Sequence, residues 1–120
     1  MLFITNRFPK GSIQTKAGRK FEFDLKNNAP SNSVFFCRRE ADGGLTEVGG
    51  MNFLTELKSS KYRQIMLYIH GFSNLPDDIF EAALEFQGLC DQKDADEILV
   101  VPVIWPCDND LGVVKDYWDD

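Results

Sequence analysis

Two near-continuous apolar runs flank an amphipathic helix in the second half of this chain, and they constrain its fold more than any other feature. The first is QIMLYIH, Gln64 to His70, and the second is EILVVPVIW, Glu97 to Trp105. Uninterrupted runs of this kind belong to strands buried on both faces, as in parallel sheets covered by helices. Between them, Asn74 is placed to cap a helix. Pro76 falls in its first turn, where a missing N–H costs little, and Asp77 and Asp78 suit the positive helix end. Ile79, Ala83, Phe86 and Cys90 then follow the stripe that packs on a sheet. Strand, helix, strand in this order predicts a βαβ unit with a right-handed crossover. EILVVPVIW, apolar on both faces, is expected to be a central strand. Within these 120 residues its outer edge has no following strand to pair with.

The first half reads as shorter pieces. LFITNRF predicts a first strand, stopped by Pro9, and KGSIQTKAGRK a polar, turn-rich connection. FEFDL alternates, with Phe21, Phe23 and Leu25 on one face. NNAPSNS reads as a loop, SVFFCRRE as a third strand, and ADGGLTEVGG as turn chemistry built on two glycine pairs. MNFLTELKSS predicts a short helix with Phe53, Leu54 and Leu57 at helical spacing. The expected organisation is a single domain over residues 1–120, with leading strands and a short helix in 1–60 and the βαβ unit in 61–120.

Composition narrows the function classes. A net charge of −6, from 13 basic and 19 acidic residues, argues against a nucleic-acid backbone as partner. The acids dominate from Pro76 onward, while the basic residues lie mostly before Lys61. The longest apolar run, ILVVPVIWP, falls far short of the ~20 residues that span a bilayer, so no membrane association is expected. The amino terminus, interrupted at Asn6 and Arg7, does not read as a signal peptide. Cys37, Cys90 and Cys107 are odd in number and lack CxxC spacing, which points to a reducing, cytoplasmic setting rather than a disulfide framework. With a single histidine, a zinc site is not expected either, and no cofactor is implied.

That single histidine, His70, stands at the tip of the first apolar run, followed by Gly71 and Phe72. Trp105, Pro106 and Cys107 stand at the tip of the second. In open α/β sheets ligands bind beyond the carboxyl ends of the strands. The stretch LYIHGF, followed by an acidic helix and then VPVIWP, resembles the α/β-hydrolase family. It resembles in particular a bacterial branch of uncharacterised hydrolases with a His-Gly-aromatic turn and a later Trp-Pro strand end. The resemblance covers roughly residues 63–120. It implies that the turn after this strand carries half of an oxyanion hole, which assigns the backbone N–H of Phe72 as a donor. Gly71 would permit the sharp turn that exposes it, and His70 would brace the loop through hydrogen bonds. Trp105 and Cys107 would line the substrate pocket. The competing readings of His70 are an ordinary strand-end histidine and a catalytic base, the latter without an evident acid partner.

The rest of a serine hydrolase is not found in these 120 residues. That fold requires a G-x-S-x-G elbow, then an acid, then a histidine. The nearest stretch is GFSNL, Gly71 to Leu75, but Leu75 replaces the final small residue and no histidine follows Ser73. A Cys107–His70 dyad is imaginable, though Asp108 and Asp110 beside Cys107 would raise a thiol pKa. Asp108, Asp110, Asp116 and Asp119 fall at calcium-loop offsets, but Gly112 takes a ligand position and Val113 that of the turn glycine, so a solvated acidic loop is the better reading.

The expected fold class is therefore α/β: the N-terminal portion of an α/β-hydrolase sheet, with a leading antiparallel strand set and one βαβ unit. The expected function is an oxyanion-hole loop without the catalytic triad, contributing to hydrolysis of an ester-like or amide-like bond in the complete enzyme. The expected partner is the missing C-terminal half of the hydrolase. The alternative is a non-catalytic interaction module whose partner protein covers the unfinished sheet edge.

Overall fold

The computed structural model describes residues 1–71 and 75–107. Strands β1 (Leu2–Arg7), β2 (Lys20–Phe21), β3 (Pro30–Arg39) and β4 (Leu45–Glu47) lead into helix α1 (Gly50–Ser59). Strand β5 (Gln64–Ile69), helix α2 (Pro76–Lys93) and strand β6 (Ile98–Ile104) follow. The strands form one mixed sheet in the order β2-β4-β3-β1-β6-β5. β1 is antiparallel to β3 and parallel to β6, and β5 is parallel to β6 from Gln64↔Ile98 to Ile69↔Val103. This is an α/β architecture, and β5-α2-β6 is the βαβ unit that the two apolar runs require.

Strand alternation divides the core between two faces. On one face Phe3, Phe21, Phe23, Phe35, Cys37 and Ile104 pack with Ile79 and Phe80 of α2. On the other, Leu2, Val48 and Val101 pack with Phe53 of α1. Phe3 meets Phe80 edge to face at 4.8 Å, an arrangement the aromatic quadrupole favours. Phe80 lies beside the expected helix stripe. Cys90, which the stripe includes, is only half-buried. The helix thus settles with Ile79, Phe80 and Ala83 as its contact face. Gln87 fixes its height on the sheet, donating to Ile98 O at 2.8 Å and accepting from Val100 N–H at 2.7 Å.

Several expectations are corrected. β6 is not an edge strand, because β1 takes the side away from β5 at Val103 and Ile104. The β1 ladder begins at Val103, immediately beyond Pro102, which has no N–H to offer. The edge strand at this end of the sheet is β5, and it is not covered on both faces: Ile65, Leu67 and Ile69 are 47%, 56% and 67% exposed. β4 lies inside a segment expected to be turn, and β3 begins at Pro30, inside an expected loop. Leu25 is half-exposed, because the chain turns away after Phe23: Asn27 N–H donates to Asp24 O, and Lys26 N–H to Asp24 Oδ1. The N-cap of α2 is Leu75, with Pro76 as first helical residue and no side-chain cap. Asn74 lies outside the described residues.

The leading strands also hold a buried ion pair. Glu47, fully buried at the end of β4, accepts from Arg19 Nε at 2.7 Å and from Lys16 N–H at 3.1 Å. The Arg19 guanidinium lies over the rings of Phe21 and Phe35. Among the described residues no helix is long and apolar enough to cross a membrane.

Candidate functional site

β1, β6 and β5 run parallel and adjacent, so their carboxyl ends meet at one end of the sheet. Four buried polar groups gather there. Thr5 and Arg7 come from β1, His70 follows β5, and Cys107 follows β6. Thr5 Oγ1 donates to Ile104 O at 2.8 Å and accepts from Arg7 N–H at 3.0 Å, tying the tips of β1 and β6 together.

His70 ties β6 to β5. Its Nε2 lies 3.1 Å from the backbone N of Trp105, and its Nδ1 lies 2.8 Å from the carbonyl oxygen of Gly71. A backbone N–H can only donate and a carbonyl can only accept. These two contacts therefore fix a neutral ring with the proton on Nδ1. The indole of Trp105 stacks on the imidazole, centroids 5.1 Å apart and planes 15° apart, and its Nε1–H donates back to His70 O at 3.2 Å. Burial lowers the His70 pKa below the ordinary imidazole value. The Gly71 carbonyl opposes this shift, and the positive charge of Arg7 adds to it.

Cys107 completes the cluster. Its Sγ lies 3.2 Å from His70 Nδ1 and 3.2 Å from Gly71 O. The distance suits a thiol–imidazole dyad, but the proton arrangement does not. In a dyad the imidazole nitrogen facing sulfur must accept the thiol proton. Here that nitrogen carries the proton, and its lone-pair partner Nε2 is occupied by Trp105 N–H. The thiol instead donates to Gly71 O, which thereby accepts from both Cys107 and His70.

Gly71 is exposed, its φ lies outside the left-handed region, and an added Cβ would meet nothing within 4 Å. The described geometry thus gives no steric requirement for glycine. What Gly71 contributes is its doubly bound carbonyl. Trp105 is half-buried against the ring, while Cys107 is fully buried beneath it. Phe72 and Ser73 lie outside the described residues, as do Asp108, Asp110, Gly112, Val113, Asp116 and Asp119. Among the described residues no group of three or more His, Cys, Asp or Glu is arranged to hold a metal.

No protein-family model, curated protein or solved structure matches the chain.

The arrangement brings together His70, Gly71, Trp105 and Cys107 and adds Thr5 and Arg7, which sequence reasoning missed. The signal was present: Phe3, Thr5 and Arg7 alternate with Leu2, Ile4 and Asn6, and Phe3 heads the side that faces α2. A cavity of about 320 Å³ lies elsewhere, at the amino end of α1, lined by Val34, Phe36, Gly49, Met51 and Asn52 among others. Ligand pockets need convergent polar groups. The buried carboxylate there, Glu47, is already held by Arg19 and Lys16.

Proposed function

We propose that this chain is the N-terminal part of an α/β-hydrolase and supplies one arm of its oxyanion hole. The observation that carries this reading is the doubly bound carbonyl of Gly71, which accepts from His70 Nδ1–H and from the Cys107 thiol. A peptide unit is planar and trans, so its N–H points opposite to its C=O. With the Gly71 oxygen held against the ring and the thiol, the peptide unit that carries the proposed donor is anchored from its carbonyl side. An oxyanion hole needs such a donor fixed before the reaction, so that no reorganisation is required when negative charge develops.

On this reading His70 and Cys107 hold the peptide and exchange no proton with substrate. Trp105, half-buried at the tip of β6, would form one wall of the pocket. The bond attacked is ester-like or amide-like, and the serine that attacks it lies on a G-x-S-x-G element outside these 120 residues. The test pairs the 120-residue chain with the product of its complete reading frame. A fluorophosphonate probe should label the complete product at a downstream serine and leave the 120-residue chain unlabelled. Turnover of a p-nitrophenyl ester by the 120-residue chain, abolished by Ser73→Ala or Cys107→Ala, would overturn the reading.

The exposed stripe Ile65, Leu67 and Ile69 on an edge strand favours a second reading, an interaction module whose partner protein pairs with β5. A complete reading frame without a serine elbow selects it.

A further inference from the structure

We infer that His70 is a proton-operated latch, which holds the backbone at the tip of β6 while neutral and releases that backbone when Nε2 takes a proton. The inference stands on the hydrogen-bond geometry and does not depend on the hydrolase reading. If that reading holds, the latch regulates the same site.

The two ring nitrogens have different partners and different fates. Nδ1 carries its proton in both charge states and can donate to Gly71 O throughout. Nε2 is the atom that changes. In the neutral ring its lone pair accepts the Trp105 N–H at 3.1 Å. In the cation it bears a proton that faces the Trp105 proton, and two donors cannot share one hydrogen bond. Protonation therefore breaks the ring's bond to the Trp105 backbone, while its bond to Gly71 and the indole's bond to His70 O remain.

The surroundings make this one opening rather than a general loosening. Trp105 and Cys107 leave β6 on the same short segment, so displacing the Trp105 peptide also draws the Cys107 thiol from Gly71 O. The Gly71 carbonyl then keeps the ring Nδ1–H as donor. The ring is buried, with Arg7 of β1 acting on it, Trp105 stacked over it, and Cys107 and Gly71 beside it. Among the described residues no carboxylate of α2 acts on it to stabilise the cation. Thr5 Oγ1 still holds Ile104 O, which anchors β6 below the opening. The latch thus frees the Trp105 backbone, with the strand and the indole still held.

The chain's single histidine allows a direct test. Nitrogen NMR of His70 should show the Nδ1–H tautomer at pH 7.5. On acidification, His70 should titrate below the ordinary imidazole value near 6.5. The protection factor of the Trp105 amide should fall at least tenfold at the same midpoint, with far-UV circular dichroism unchanged. In a Trp118→Phe background, Trp105 fluorescence should change over the same range. His70→Asn should abolish the pH dependence of both probes. If that variant does not fold, the titration of the unaltered chain decides alone. The inference is overturned by the Nε2–H tautomer at neutral pH, by titration of His70 with the Trp105 amide equally protected throughout, or by loss of far-UV signal at the same midpoint.

Discussion

Glu47→Gln should be among the most destabilising single changes in the leading strands. Glu47 sits at the end of β4 with its side chain 1% exposed, while the Arg19 side chain retains 17% exposure. At their 2.7 Å separation, and with an effective dielectric constant of about 20, the gross Coulomb attraction is roughly 6 kcal/mol. Desolvation of both ions offsets most of it. Removing one partner nevertheless leaves the other as an uncompensated charge, which typically costs about 3–5 kcal/mol. Arg19 keeps some water contact and a bond to Ser12 O, so the low end applies, about 3 kcal/mol. The side-chain amide that this substitution introduces can still accept from Lys16 N–H, which isolates the charge from the turn contact. In urea, with an m-value of roughly 2 kcal/mol/M, the unfolding midpoint should drop by about 1.5 M. Replacing both residues, Arg19→Met with Glu47→Leu, should recover most of the loss, because no charge is then buried alone. A drop below ~0.5 M for Glu47→Gln, or a double variant worse than the single, would refute the reasoning.

Glycine should matter at Gly49 and not at Gly71. At Gly49, φ is +82° and an added Cβ would stand 3.1 Å from the Ala17 Cβ, so Gly49→Ala should cost about 1–3 kcal/mol. Gly71→Ala should change the thermal midpoint by less than ~2 °C, and a larger loss there would mean that the Gly71 backbone needs freedom its φ does not reveal. The outer edge of β5 should make the 120-residue chain associate with increasing concentration. Leu67→Lys, which places a charge in the middle of that strand, should suppress the association in sedimentation, and association unchanged by this substitution would place the contact elsewhere.

The βαβ unit was legible because its signals are local: two apolar runs, a proline at the helix start, and a 3.6-residue stripe. The exposure of Ile65, Leu67 and Ile69 was not, because an apolar run reports what a strand can bury and not which elements arrive to cover it. β4 spans three residues between glycine pairs, too short to show a period. At the candidate site, the placement of His70 and Trp105 at neighbouring strand tips was legible in the two apolar runs. Their mutual stacking and the bond between the ring and the Trp105 N–H did not, since both depend on β5 and β6 lying side by side. Arg7 shows the opposite case. Its position in the β1 alternation pointed inward from Phe3, but its charge reads as surface. It is nevertheless fully buried, close enough to the imidazole at the end of the sheet for its charge to act on the ring.

Whether the Phe72 amide donates to an oxyanion is decided by its proton shift. In the complete protein, with ¹⁵N introduced at phenylalanine, a phosphonate that mimics the tetrahedral anion should form its adduct beside this loop. A large downfield shift of the Phe72 amide proton is expected on adduct formation, as for any N–H that donates to an oxyanion. Cys107→Ala should reduce this shift, because the Gly71 carbonyl then loses the thiol that donates to it. Adduct formation with the Phe72 amide unmoved would contradict the account.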